Sequence, residues 1–159
     1  MKLTTFTDYS LRVLIYLATQ PQRRATIGEI ARSYDISENH LVKVVHLLGQ
    51  RGWLANVRGK GGGLNLGMAP GDIGVGAIVR LTEGVDLPAE CFGEETAHCT
   101  IARGCRLRGV LAEALEAFYG VLDKYTLADL VRNPAFLEKV FFIGSDTPPR
   151  RTHARNAAG

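Results

Sequence analysis

The stretch 26–54, TIGEIARSYDISENHLVKVVHLLGQRGWL, read together with residues 58–66, RGKGGGLNL, decides how this 159-residue chain folds. Thr26 stands before Ile27, Ile30, Ala31 and Tyr34, and Ser37 before Leu41, Val44, Val45 and Leu48, two apolar sets at helical spacing. Threonine and serine both accept hydrogen bonds from the open amides of a first helical turn, and Glu29, three residues after Thr26, completes a capping box. The pattern predicts a helix, a tight turn across Asp35 and Ile36, and a second helix. An αα-hairpin buried in a core reads the same way up to this point. The residues after Gly52 tip the balance: 53–57 alternate, 58–63 form a basic glycine-rich turn, and 64–66 alternate again. A helix-turn-helix leading directly into a hairpin with a cationic tip makes a winged helix. In that arrangement the second helix enters the major groove of DNA while the wing reaches phosphates or the minor groove.

On the second helix, Asn39, His40 and Lys43 face away from the apolar stripe and can reach bases or backbone, while Arg58 and Lys60 on the wing would hold phosphate. With Ser37 and Gly61 they form the expected DNA-contacting set. The glycine run is no phosphate-binding loop of the nucleotide type, because it lacks the Gly-Lys-Ser/Thr ending and lies between strands. Charge obeys the same division. Residues 1–70 carry nine basic and four acidic groups, 71–143 seven and eleven, and 144–159 three and one, within a net charge of +3. A basic first half suits a polyanionic partner.

Upstream, Leu11, Leu14, Ile15 and Ala18 predict a helix from about Asp8 to Thr19, ended by Pro21. Downstream, Asp72 is expected to cap a short helix over Ile73, Ala77, Ile78 and Leu81 that Gly84 stops. Leu107, Val110, Leu111, Ala114, Leu115, Phe118, Val121, Leu122 and Tyr125 then alternate at threes and fours. They predict a long helix over 106–124, about 28 Å at 1.5 Å per residue. So long an apolar stripe wants a partner, and a second copy of itself gives a two-fold homodimer that suits a palindromic operator. Thr126 caps a last short turn before Pro134. Residues 135–143 are apolar without a clear type, and the polar tail from Ser145, with Pro148 and Pro149, reads as disordered. No apolar run approaches the roughly 20 residues of a membrane span, and the N-terminus has no cleavage-type flank, so a cytoplasmic protein is expected.

All three cysteines lie within residues 91–105, CFGEETAHCTIARGC, separated by seven and five residues. The odd count and the missing secretory signal handicap a disulfide. Gly93 and Gly104 give the stretch the freedom to wrap a metal centre. Structural zinc could use Cys91, Cys99, Cys105 and His98, although these spacings are loose for zinc. A thiol enzyme would need His98 as base, and no oxyanion turn or second base is readable nearby. A DNA-binding regulator, not an enzyme, is the expectation.

Taken together, LTTFTDYSLRVLIYLA (3–18), the helix-turn-helix stretch, the wing, the three spaced cysteines and DKYTLADLV (123–131) resemble the IscR/NsrR family of winged-helix iron-sulfur transcription regulators. The likeness covers about residues 1–133 and is greatest to the nitric-oxide-sensing branch. It implies a homodimeric repressor that holds an iron-sulfur cluster, four-iron (4Fe-4S) more than two-iron, and leaves its operators when nitric oxide reacts with the cluster. It also implies Cys91, Cys99 and Cys105 as thiolate ligands. The cluster-assembly branch has a histidine three residues beyond the last cysteine, where this chain has Arg108. The nitric-oxide-sensing branch can use an aspartate from the first helix of the other subunit, and the matching residue is Asp8. The organisation expected is mainly α with a small β-hairpin wing: a winged helix-turn-helix DNA-binding domain over 1–84, a cluster loop over 85–105, a dimerisation helix and cap over 106–133, and a C-terminal segment over 134–159.

Overall fold

A computed structural model describes residues 2–57, 59, 61–84 and 104–143 of the chain. Helix α1 spans Thr5–Thr19, three residues longer at its start than the apolar spacing predicts. Its cap is Thr4, whose hydroxyl oxygen accepts from the Thr7 amide at 3.2 Å. The amide and hydroxyl of Thr4 in turn donate to Glu83 Oε1, at 2.9 and 3.1 Å. A carboxylate from far along the chain thus completes this helix start. Asp8 accordingly lies in the first turn and is not the cap. Thr7 and Ser10 are buried among the apolar residues, and their hydroxyls donate to Thr82 Oγ1 and the Phe6 carbonyl, both at 2.8 Å.

Helix α2, Ile27–Tyr34, carries the predicted capping box: the Thr26 amide donates to Glu29 at 2.6 Å and the Glu29 amide to Thr26 Oγ1 at 3.2 Å. Asp35 then adopts a left-handed conformation, φ 53°, which makes the turn tight. Helix α3, Glu38–Gln50, starts after Ser37, whose carbonyl accepts from His40 and Leu41 amides while its hydroxyl makes no cap bond. Leu41, Val44, Val45 and Leu48 are buried, as their spacing predicts. Strands β1, Leu54–Val57, and β2, Gly63–Leu66, pair antiparallel from Leu54↔Leu66 to Val57↔Gly63. Ala25, just before α2, bridges to Leu64 and anchors the hairpin to the helical core.

A 3-10 turn at Pro70–Asp72 precedes α4, Val75–Glu83, which starts at Gly74 and not at the Asp72 cap expected. Ile73 and Gly74 are otherwise engaged: the Leu127 amide donates to the Ile73 carbonyl at 2.8 Å, and Gly74 bridges to Thr126. Helix α5, Arg106–Leu122, stops two residues short of the predicted end and has no buried residue. Arg80 of α4 holds its far end by an ion pair to Asp123, with the guanidinium 4.4 Å from the Tyr119 ring. Helix α6, Leu127–Leu130, opens with Asp129 accepting from the Thr126 amide and hydroxyl. Residues 134–143 form α7, Pro134–Glu138, and a π-helical turn, Lys139–Ile143. Phe141 and Phe142 pack on Tyr16 with ring centroids 5.2 and 5.3 Å away, so this segment joins the core. The tail from Ser145 lies outside the described residues.

Candidate functional site

The buried stripe of α3 fixes which of its side chains meet solvent. Ser37 at the cap and Asn39, His40 and Lys43 on the helix are all exposed, so the structure gathers these four expected contacts on or beside one free helical surface. The His40 ring lies 6.2 Å from that of Tyr9 on α1. At the wing, Gly59 and Gly61 take positive φ values of 97° and 80°, and the Gly62 amide donates to the Gly59 carbonyl at 2.9 Å. Only glycine adopts such backbone without strain, which is why the tip is glycine-rich. Arg58 and Lys60 lie outside the described residues. Sequence reasoning missed two neighbours of this surface, Tyr9 and Arg24. Arg24 Nη1 donates to the Gly61 carbonyl at 3.0 Å, and the only hint in the sequence is the basic pair Arg23-Arg24 ahead of α2.

The turn before α2 is electrostatically anchored. Burial pushes the Glu29 carboxyl up, but hydrogen bonds from the Thr26 amide and hydroxyl and the charge of Arg23 outweigh it and hold the group below its ordinary value. Arg12 on α1 and Tyr34 on α2 also meet: the Tyr34 hydroxyl donates to the Arg12 carbonyl at 3.1 Å, and the guanidinium lies 5.5 Å from the ring. Burial pushes the Tyr34 phenol up.

Of the expected metal ligands, Cys105 and Asp8 fall within the described residues; Cys91 and Cys99, like His98, lie outside them. Cys105 is a free, half-buried thiol at the N-cap of α5. The Asp8 side chain is 44 % exposed and accepts from Arg12 through both oxygens, at 3.0 and 2.9 Å. An exposed pair of this i,i+4 kind contributes only about 0.3–0.5 kcal/mol, so Arg12 does not hold Asp8 against a metal. An unpaired thiol and a surface carboxylate fit a donor set of thiolates and one harder oxygen ligand. Arg108, in the first turn of α5, is exposed. Among the described residues no helix is long and apolar enough to cross a membrane.

A sequence model described as Rrf2, iron-dependent transcriptional regulator, matches residues 3–133. The chain belongs to the Rrf2 family. This Rrf2 chain is 51% identical over 141 residues to the HTH-type transcriptional regulator NsrR of Bacillus subtilis strain 168, covering 88% of this chain and 97% of that one. To NsrR of Bacillus licheniformis it is 47% identical over 141 residues, 88% of this chain and 99% of that one. Among solved structures, T. potens IscR matches with a TM-score of 0.68 at 27% identity, covering 84% of this chain and 88% of that one. CymR, the global cysteine regulator of B. subtilis, matches at 0.66 and 31% identity, covering 83% and 97%. The Rrf2 chain is thus a winged-helix DNA-binding transcriptional regulator and not an enzyme.

Proposed function

We propose that this Rrf2 protein is a homodimeric repressor that senses nitric oxide through an iron-sulfur cluster held by Cys91, Cys99, Cys105 and Asp8 of the partner subunit. The observation that carries this reading is the 51% identity to an NsrR over nearly its whole length. When bound, a four-iron cluster with one carboxylate ligand supplies an iron more open to a small diatomic than a fourth thiolate would leave. The protein's own part is to hold that site where it can bias the DNA-reading surface. Asp8 precedes Tyr9, which lies against His40 of α3, and Arg12, which abuts Tyr34 beside the turn between the two reader helices. A carboxylate drawn from Arg12 towards the other subunit would pull on this first turn of α1, and losing that pull would let the two recognition helices move.

On the DNA side, Asn39, His40 and Lys43 read or grip the major groove, with Ser37 at the helix start, and Arg58, Lys60 and Gly61 bring the wing to the backbone. Lys60→Ala is expected to weaken binding to every sequence and to lower the salt slope by about one, whereas Asn39→Ala changes which operator is preferred.

The deciding experiment is anaerobic purification and then operator titration with cluster-loaded, stripped and nitric-oxide-treated protein. Brown protein bleached by nitric oxide, with operator affinity falling on treatment, is the expected result. Asp8→Ala is expected to alter both affinity and nitric oxide sensitivity. Colourless protein with stoichiometric zinc, or equal binding by loaded and stripped samples, rules the reading out.

A further inference from the structure

The wing tip is rich in glycine. Gly59, Gly61, Gly62 and Gly63 have more backbone freedom to lose on binding DNA than other residue types would. Yet this tip is held from outside the hairpin by the segment between α1 and α2. The Ala25 amide donates to the Leu64 carbonyl at 3.1 Å, and the Leu64 amide to the Ala25 carbonyl at 2.8 Å. One residue earlier, Arg24 Nη1 reaches past the strand end to the Gly61 carbonyl at 3.0 Å. The approach is close enough that a Cβ at Gly63, where φ is 154°, would fall 3.1 Å from the Ala25 oxygen and 3.2 Å from Arg24 Cβ. The segment is itself fixed. Arg23 pairs with Glu29, which closes the capping box of α2, and its guanidinium lies 5.0 Å from the Phe142 ring of the C-terminal turn. Arg24 therefore projects from an anchored base onto the carbonyl of a wing-tip glycine.

We infer that Arg24 is a positioning residue for DNA binding: its hydrogen bond to Gly61 presets the wing tip, so that the wing cations meet the duplex without first ordering a glycine loop. It acts through the wing and not by touching phosphate itself. The inference rests on the proposed contact between the wing and DNA.

The test is a double-mutant cycle on the whole 159-residue chain, measured by fluorescence anisotropy with an operator duplex over a range of salt. Arg24→Ala is compared in the parent and in a background carrying Arg58→Ala and Lys60→Ala. Arg24 is exposed, so the variant keeps the core intact. In the parent, Arg24→Ala is expected to weaken binding about three- to tenfold, the worth of one hydrogen bond, with an unchanged salt slope. Without the wing cations the same change is expected to cost less than about twofold, because coupled residues are not additive. Amide exchange at Gly61 and Gly62 in DNA-free protein is expected to quicken. An equal loss in both backgrounds with a salt slope lower by about one would mean that Arg24 contacts phosphate directly, and overturns the inference. So does parental affinity in Arg24→Ala while the wing-cation variant is weakened. A wing-cation variant that binds like the parent overturns the underlying reading of the wing as well.

Discussion

Gly67 sits where the wing hairpin closes, its amide donating to the Trp53 carbonyl at 2.9 Å. A Cβ there would fall well inside contact distance of the Gly52 carbonyl oxygen and 3.2 Å from the Leu54 carbonyl carbon. Both neighbours are backbone, fixed by the base of the hairpin, and neither can swing aside. Gly67→Ala is therefore expected to destabilise the protein by about 1–3 kcal/mol, the usual cost of overpacking. A urea unfolding curve measures it, and an unchanged midpoint would mean that the hairpin base relaxes freely. Gly76 makes the useful contrast. There an added Cβ meets the Asp123 carboxylate, the end of a flexible side chain that can turn away from Arg80, so the fold survives while the grip on α5 loosens.

Among the elements, α2 starts on a charge that pH can remove. The folded Glu29 carboxyl lies below its ordinary 4.5, because burial, which alone would raise it, is outweighed by Thr26 and Arg23. Glu83 is displaced the same way, burial being outweighed by the hydrogen bonds from the Thr4 amide and hydroxyl at the start of α1. A lowered folded value means that the stabilisation is present above 4.5 and is lost as pH falls through the lower folded value. Stability is expected to drop in that window, and Glu29→Gln to flatten the drop while costing about 1 kcal/mol near neutrality. Unfolding free energies from about pH 3 to pH 6 provide the check; parallel pH profiles for parent and variant would contradict it. These same helix starts show what sequence could reveal. The Thr26–Glu29 box is local, its partners three residues apart, and is readable. The start of α1 depends on Glu83, the start of α4 on residues 125–127, and the seat of Phe141 and Phe142 on Tyr16 and Tyr34; all are distant in sequence, so spacing alone misplaces them or cannot type them. At the site, the exposed face of α3 is legible from its stripe, whereas Arg24 and Tyr9 enter through contacts that only the folded chain makes.

At the scale of the molecule, the winged-helix helices each bury an apolar face in the core, and among the described residues α5 does not. The seventeen residues of α5 include no buried side chain, and Leu107 and Val110 are 62 % and 59 % exposed. An isolated helix of this length is marginal in water, and its stability must come from burying that stripe. Residues at its far end are tethered to α4 through Arg80, Tyr119 and Asp123, and among the described residues the exposed Leu107 and Val110 of the first turns want an apolar partner. In the homodimer proposed above a second copy would supply one by symmetry, since the same stripe would be presented by both chains. Across a two-fold axis a charge introduced near the axis faces its own copy, so Val110→Glu would set two carboxylates against each other in a desolvated seam. Sedimentation velocity is expected to show the parent as a dimer and Val110→Glu as predominantly monomer. Operator binding should weaken with it, because each half-site is then gripped alone. Should Val110→Glu sediment as a dimer at the parental concentration dependence, the subunits must join through some other surface, and Asp8 would lose the route by which it reaches the partner's cysteines.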